Sequence, residues 1–471
     1  MRMVSEQNKV KVAIIGAGFA GLRAARHFEQ VGIEYTIIEG SDRVGGRVYP
    51  FSYNKGYLHY GAEYVNGLDN EIYQIVEKHN LLDKTESRTN DLWMLDEGTL
   101  TIIDGKRVED GKLNVWKEFV KNINDKLYEE SSFGNGLQKS VSDKIDEHFS
   151  IFLEEYKFGE EDRATYENLC RIFKNYFQTE WSSPVHELGL RNLCTWEDGT
   201  TVEDSAVLNE FGFQKILEEF TCIIPKEKIR LNSKVININY GDLGSAKILL
   251  ENGETVYFDA VIVTCSLGFL KHHKRTLFTP SLPRQKEDAI DRIGFGSNMK
   301  VFLEYNTPWW PDKTSTIMIS SQTDGEHSKL TDNLMVFQPS SWARNILVSW
   351  IAGCGPYEVS LKTDEQLKTV IDSFLKENLK GEYKVENICR IFRHNWMDDM
   401  FSLGSYSYLL PGTHQNTIKV LAEPLMNGSR PLVCFAGEHT DPQMYQTTVG
   451  AARSGHREAM RISVHLLSSD N

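Results

Sequence analysis

Short continuous apolar runs alternate along the chain with longer amphipathic stretches. Val10 to Ile15 reads Val-Lys-Val-Ala-Ile-Ile, a β-branched run of the kind that forms a strand buried in a parallel sheet. A helical pattern follows from Leu22 to Gln30 and ends near Gly32. A second strand is predicted over Tyr35 to Ile38. Asp259 to Thr264 and Leu432 to Ala436 repeat the buried-strand pattern far downstream. Lys228 to Ile238 alternates like a strand around Val235. Ala246 to Leu250 and Thr255 to Phe258 read as a hairpin about Asn252-Gly253. The period changes over 107–180, where Trp116, Phe119, Val120, Ile123 and Leu127 recur at three- and four-residue steps and predict amphipathic helices.

The first strand runs into Gly16-Ala17-Gly18-Phe19-Ala20-Gly21, and the second closes at Glu39. Strand, G-x-G-x-x-G, helix, strand and acid together are the signature of a dinucleotide site. Gly16 allows the tight turn, Gly18 lets backbone approach a pyrophosphate, and Gly21 lets helix pack on strand. The N-terminus of the helix that follows aims its positive end at the phosphates. Glu39 can accept hydrogen bonds from ribose hydroxyls and repels a 2′-phosphate, which argues against an NADP-like ligand. A tight strand-to-helix turn with no ligand is the plainer alternative.

Ser41-Asp42-Arg43-Val44-Gly45-Gly46-Arg47 comes next. Two glycines flanked by arginines suit a loop that hugs a phosphate. With Gly61-Ala62-Glu63-Tyr64-Val65-Asn66-Gly67 behind it, this arrangement resembles the N-terminal FAD signature of the flavin-containing amine oxidase family. A second glycine-rich block lies near the other end: Phe435-Ala436-Gly437-Glu438-His439-Thr440, then Tyr445-Gln446-Thr447-Thr448-Val449-Gly450. Thr447 or Thr448 suits an N-cap. A helix starting there can aim its N–H groups at an electron-rich group.

The resemblance implies a Rossmann-like α/β FAD-binding domain assembled from 8–75, 220–290 and 425–465. An α+β substrate-binding domain would be built from 76–219 and 291–424. It implies cofactor contacts at Gly16, Gly18, Phe19, Ala20, Gly21, Glu39, Arg47, Gly61, Ala62, Glu63, Tyr64, Val235, Gly437, Glu438, Thr448 and Val449. Val235 would pack near the adenine, Gly437-Glu438 would bind the ribityl chain, and the helix after Thr447 would point at the flavin ring. Cys265 stands where many members have proline.

Asn298-Met299-Lys300-Val301-Phe302-Leu303-Glu304 places a lysine inside an apolar strand, on the face shared with Phe302. Such a lysine must find a partner, lower its pKa or snorkel to solvent at an edge. The resemblance aligns Lys300 with the lysine that holds a water near flavin N5, which makes it the candidate catalytic residue. In Gly404-Ser405-Tyr406-Ser407-Tyr408, Ser405 occupies the position of the monoamine-oxidase cysteine bonded to flavin, so FAD is expected to be non-covalent. Tyr406 would form one side of a substrate cage and Thr447 replaces the other cage tyrosine. The pattern is similar to the animal-type polyamine oxidases of the family, except for Asn66 and Val449, where those members often carry histidine. Asn66, Tyr406 and Thr447 are the expected substrate contacts. The implied reaction oxidises a polyamine with O2 to an aldehyde, a smaller amine and hydrogen peroxide.

Composition narrows this reading only a little. The 471 residues are 40% hydrophobic and 25% charged, which is globular. With 52 basic and 66 acidic residues the net charge is −14, poor for nucleic-acid binding and suited to a cationic ligand. Seven scattered cysteines without a C-x-x-C pair fit neither a zinc site nor a disulfide framework, so no metal is expected. No apolar run is long enough for a membrane span. A polar start and a Ser469-Asp470-Asn471 end favour the cytoplasm. The rival readings are another amine-oxidase branch acting on monoamines, L-amino acids or methylated lysine, and a non-catalytic FAD- or NAD-binding protein.

Overall fold

The computed structural model describes residues 11–84, 88–89, 93–133, 138–195, 205–241, 244–321 and 328–469. Its organising element is a six-stranded sheet. In spatial order the strands are Ile229–Arg230, Glu34–Ile38, Lys11–Ile15, Ala260–Val263, Arg430–Phe435 and Leu425–Asn427. The first five run parallel and the last is antiparallel. Val12, Ala13, Ile14, Val261 and Ile262 are fully buried, as a sheet covered on both faces requires.

The helix Phe19–Val31 covers one face and ends on Gly32 in the left-handed conformation (φ 73°), whose N–H bonds to the Phe28 carbonyl. The long helix Thr448–Ser469 crosses it closely. A Cβ on Gly455 would stand 2.0 Å from the Ala20 carbonyl oxygen, so only glycine permits this crossing. The helix Gly212–Thr221 adds Phe213, Ile216 and Phe220 to the same core. The other face carries a four-stranded sheet in which Ala246–Leu250 and Thr255–Phe258 form the expected antiparallel hairpin, with Gly253 at φ 87°.

A seven-stranded sheet forms the second part. Asn298–Glu304 lies inside it between Ile346–Ala352 and Arg390–Arg393. Helices Asp110–Ser132, Val141–Tyr156 and Glu160–Trp181 account for the change of period over 107–180. Trp116, Val120, Ile123 and Leu127 are buried among Phe149, Phe152 and Phe173. Each such side chain contributes about 1.5–3 kcal/mol through removal from water. The fold is therefore mixed α/β with a Rossmann-like parallel sheet. Among the described residues no helix is long and apolar enough to cross a membrane, and no group of His, Cys, Asp and Glu is arranged to hold a metal.

Candidate active site

A cavity of about 900 Å³ runs from the carboxyl ends of the parallel strands to the seven-stranded sheet. That is where ligands bind in open α/β sheets. Gly16, Gly18, Phe19 and Ala20 line its first end. Gly16 has φ 109°, and a Cβ there would meet the Thr264 hydroxyl at 2.5 Å. Gly21 lies off the cavity, where a Cβ would stand 2.0 Å from the Gly16 carbonyl oxygen, so its role is helix-on-strand packing. Gly18 differs from both: a Cβ there would meet no protein atom within 4 Å, yet the residue lines the cavity. Its need for glycine lies with whatever fills that space.

The Glu39 carboxylate accepts the Ala17 N–H (2.6 Å) and the Ser41 N–H (2.8 Å), which fixes it beside the glycine loop. The second glycine loop lies against the first, with the Gly45 N–H on the Ala17 carbonyl at 2.8 Å. Of the two flanking arginines only Arg47 lines the cavity. Arg43 stacks on Tyr49, 3.6 Å from the ring centre. Arg47 donates to the Ser405 carbonyl (2.6 Å) and to Glu438 (2.9 Å), which ties the N-terminal segment to the C-terminal block. Glu438 also accepts from Ser407 (2.6 Å) and from the Gln446 N–H (2.8 Å). Burial pushes the Glu438 carboxyl up, but the Arg47 charge, His439 and these hydrogen bonds hold it below the usual carboxylate range. Gly437 and Glu438 line the cavity, with the glutamate side chain committed to protein partners.

The far end is built on Lys300, which is 2% exposed. Its Nζ donates to Glu63 Oε2 (2.6 Å) and to the Gly61 carbonyl (2.8 Å), and lies 5.1 Å from the Trp350 ring centre. This is neither an edge lysine nor one that snorkels to solvent. Gly61 is obligatory here, since a Cβ would stand 1.7 Å from the Arg47 carbonyl oxygen. Burial pushes the Lys300 ammonium below the ordinary lysine range, against the opposing charge and hydrogen bond of Glu63.

The antiparallel pair Ile293–Phe295 and Ser407–Leu409 presents Tyr406 beside this strand. Its hydroxyl donates to the Thr179 carbonyl (3.0 Å) and accepts from Asn298 Nδ2 (3.0 Å). Thr447 is the N-cap: its hydroxyl accepts the Gly450 N–H (2.9 Å) and donates to the Met444 carbonyl (2.7 Å). Asn66 donates to Ser205 (3.1 Å). Ala62, Glu63, Tyr64, Asn66, Val235, Tyr406, Thr447 and Thr448 all line the cavity. Val449 does not. Its side chain is buried in the core beneath, because the position after Thr448 turns away around the helix.

Residues that were not expected also contribute to this site, Asn298, His59 and Trp396 among them. Asn298 sits two positions before Lys300 on the same strand face, so extending the alternation backward would have found it. His59 is 5% exposed on the cavity wall. Burial pushes its imidazole down to about 3, and the Lys300 charge acts in the same direction. Nothing local marks it, because its surroundings are Phe213 and Lys300, both distant in sequence. Trp396 lines the cavity, and its indole N–H donates to the Tyr60 carbonyl (3.4 Å).

A dinucleotide-type cofactor fits this wall. Thr448 Oγ1, Gln446 Nε2 and Asn298 Oδ1 are buried on the cavity lining with no protein hydrogen-bond partner. Buried polar groups without partners are expensive, so they point to a ligand or water that satisfies them. With the open space over Gly18 and the fixed Glu39, they are the groups on this lining that a bound cofactor could use.

The sequence pattern of the family described as flavin containing amine oxidoreductase matches residues 19–463. The chain belongs to this family, so it is a flavin-dependent amine oxidoreductase. Among its relatives is the peroxisomal N(1)-acetyl-spermine/spermidine oxidase of Bos taurus, 26% identical over 96% of this chain and 94% of that protein. The probable polyamine oxidase 5 of Arabidopsis thaliana is 25% identical over 97% and 98%. The lysine-specific histone demethylase 2 of Homo sapiens is 27% identical over 96% of this chain but only 53% of that protein.

Proposed function

We propose that the chain is a polyamine oxidase that binds FAD non-covalently, takes spermine, spermidine or their N1-acetyl forms, and uses O2 as acceptor. The observation that carries this reading is that one cavity is lined by the glycine loops, by Lys300, by the aromatics Tyr128, Tyr176, Trp181, Trp310 and Trp342, and by the carboxylates Asp96, Glu180 and Asp312. Aromatic faces attract ammonium groups and carboxylates steer them, so a polycation suits this lining. The polyamine names of the bovine and Arabidopsis relatives support the same choice.

FAD, when bound, supplies the acceptance of a hydride equivalent from the carbon next to the amine nitrogen and the later transfer of electrons to O2. The protein orients and insulates. Glycine loops, Arg47 and Val235 hold the cofactor, while Gln446 and Thr448 offer it the hydrogen bonds they lack. Lys300 would present a hydrogen-bond donor to the cavity it lines. Asn298 and Tyr406 fix one wall of the slot, and Asn66 and Thr447 shape it. The reacting nitrogen must be neutral to release hydride, so the rate rises with pH through the amine's titration. The oxidised substrate then hydrolyses to an aldehyde and a smaller amine.

The test is anaerobic addition of spermine to the FAD-loaded protein. Loss of the oxidised-flavin band near ~450 nm is the expected result, with hydrogen peroxide appearing when air is admitted. A band that ignores spermine, spermidine and both N1-acetyl forms would overturn the substrate class. Acid precipitation should release all the FAD, since Ser405 is held by Asn298 N–H (2.8 Å) and Ser182 and offers no thiol. A fluorescently tagged chain should distribute through the cytoplasm; punctate peroxisomal signal, as the bovine relative's name states for that protein, would overturn this placement.

A further inference from the structure

The lysine at the far end of the cavity has an anionic partner held on a separate segment. Lys300 comes from the strand Asn298–Glu304 and Glu63 from the turn ahead of the strand Tyr64–Asn66. The lysine side chain is 2% exposed and the glutamate 33% exposed, both on the cavity wall. Glu63 Oε2 and the Gly61 carbonyl take two of the three ammonium protons, at 2.6 and 2.8 Å. Among the described residues, no second anion lies at hydrogen-bond distance. Trp350, the register partner on the neighbouring strand, offers a ring face at 5.1 Å, and Phe302 on the same strand offers one at 5.9 Å. Among the described residues His59, on the strand Gly56–His59, is the other titratable group coupled to the lysine, and burial together with the Lys300 charge pushes its imidazole down to about 3.

We infer that Glu63 is the positioning residue that keeps Lys300 an ammonium, with its third N–H directed to the cavity as a fixed donor, so that Lys300 does not serve as the base that takes the substrate's proton. This rests on the reading of the cavity as an amine-oxidising site. The physical reason is the balance at Nζ. Burial alone favours the neutral amine, and one adjacent carboxylate is the main force against it. Two protons pinned by Glu63 and Gly61 leave the third for the cavity that Lys300 lines. A neutral lysine here would present a lone pair to the substrate instead and reverse the hydrogen-bond sense of the site. Glu63 takes part in no bond-making step. It acts only through Lys300.

The test compares the FAD-loaded full chain with Glu63→Gln, Glu63→Asp and the double variant Glu63→Gln with Lys300→Met. The first readout is the pH profile of flavin reduction by spermine between pH 6 and 11. Glu63→Gln should show a new ionisation about one to three units below that of the parent, the shift an adjacent opposite charge usually controls. Glu63→Asp should restore the parent profile, and the double variant should lose the new ionisation. The second readout needs no activity: thermal unfolding over the same pH range. In Glu63→Gln the folded lysine binds its proton less tightly than the unfolded one. Its Tm deficit against the parent should therefore be largest near neutral pH and shrink as pH rises. With Lys300→Met in the background the deficit should not depend on pH. Superimposable profiles together with a pH-independent deficit would overturn the inference. If the parent itself ignores spermine, the functional reading fails while the unfolding series still judges the pair.

Discussion

The two ends of the cavity are built in opposite ways. At the glycine-loop end the parts are near neighbours in the chain: Gly16, Gly18, Glu39 and Gly45 are joined by backbone hydrogen bonds and turns. At the lysine end Lys300 meets Glu63 across 237 positions, and Tyr406 meets Thr179 across 227. The first end is specified by what backbone can do where side chains are missing. The second depends on side chains that are wrong for their local surroundings until a distant partner arrives. A substitution at the first end should therefore act on folding or on cofactor capture. One at the second should leave the flavoprotein intact and act on the chemistry.

The largest effect that sharpens this contrast is expected at Gly21. Gly21→Val would force a side chain into the Gly16 carbonyl, and no folded flavoprotein should be recovered. Gly18→Ala, three residues away, should keep its thermal stability while its FAD affinity, measured by fluorescence quenching on titration, falls about tenfold or more. If Gly18→Ala binds FAD normally, the assignment of that space to a phosphate fails. At the other end, Lys300→Met should retain the flavin band but reduce anaerobic flavin reduction by about 10²-fold or more. Loss of FAD instead would show that the lysine end is structural.

A pH series comes next in size. Burial holds His59 near about 3 and His439 near about 4, whereas both bind a proton near 6.5 when unfolded. The unfolded chain then binds more protons than the folded one, so stability should fall as pH drops from about 6.5 toward 4. The slope is about 1.4 kcal/mol per pH unit for each histidine. Urea unfolding at stepped pH values checks this, and His439→Gln should flatten the slope. The smallest effect is expected for Tyr406→Phe. It removes one hydrogen bond to Thr179 and one from Asn298, and should change kcat/KM about three- to tenfold, or about 0.5–1.5 kcal/mol. An unchanged value would remove Tyr406 from the slot.

Legibility in the sequence followed the same division. The buried strands, the Asn252-Gly253 hairpin and the helical period around Trp116 were readable because each depends on alternation or turn chemistry within a few residues. The candidate residues that share the cavity were found where a motif carried them. Val449 was expected at the cofactor from the family resemblance, and a helix turn sends its side chain into the core. His59 was missed because a histidine between Leu58 and Tyr60 looks ordinary until Phe213 and Lys300 close over it. Arg43 was paired with Arg47 by symmetry about two glycines, but only Arg47 has Glu438 to turn toward.

By itself the sequence determined the α/β class, the glycine-loop end of the cavity and the family, because those rest on backbone conformation, short-range periodicity and motif spacing. Only the tertiary structure decided that Lys300 is an ion-paired, buried group, that Glu63 rather than solvent is its partner, and that Arg47, Ser407 and Gln446 converge on Glu438. These are contacts between segments far apart in the chain. Neither partner carries a local mark of the other, and burial gives each pairing its energetic weight.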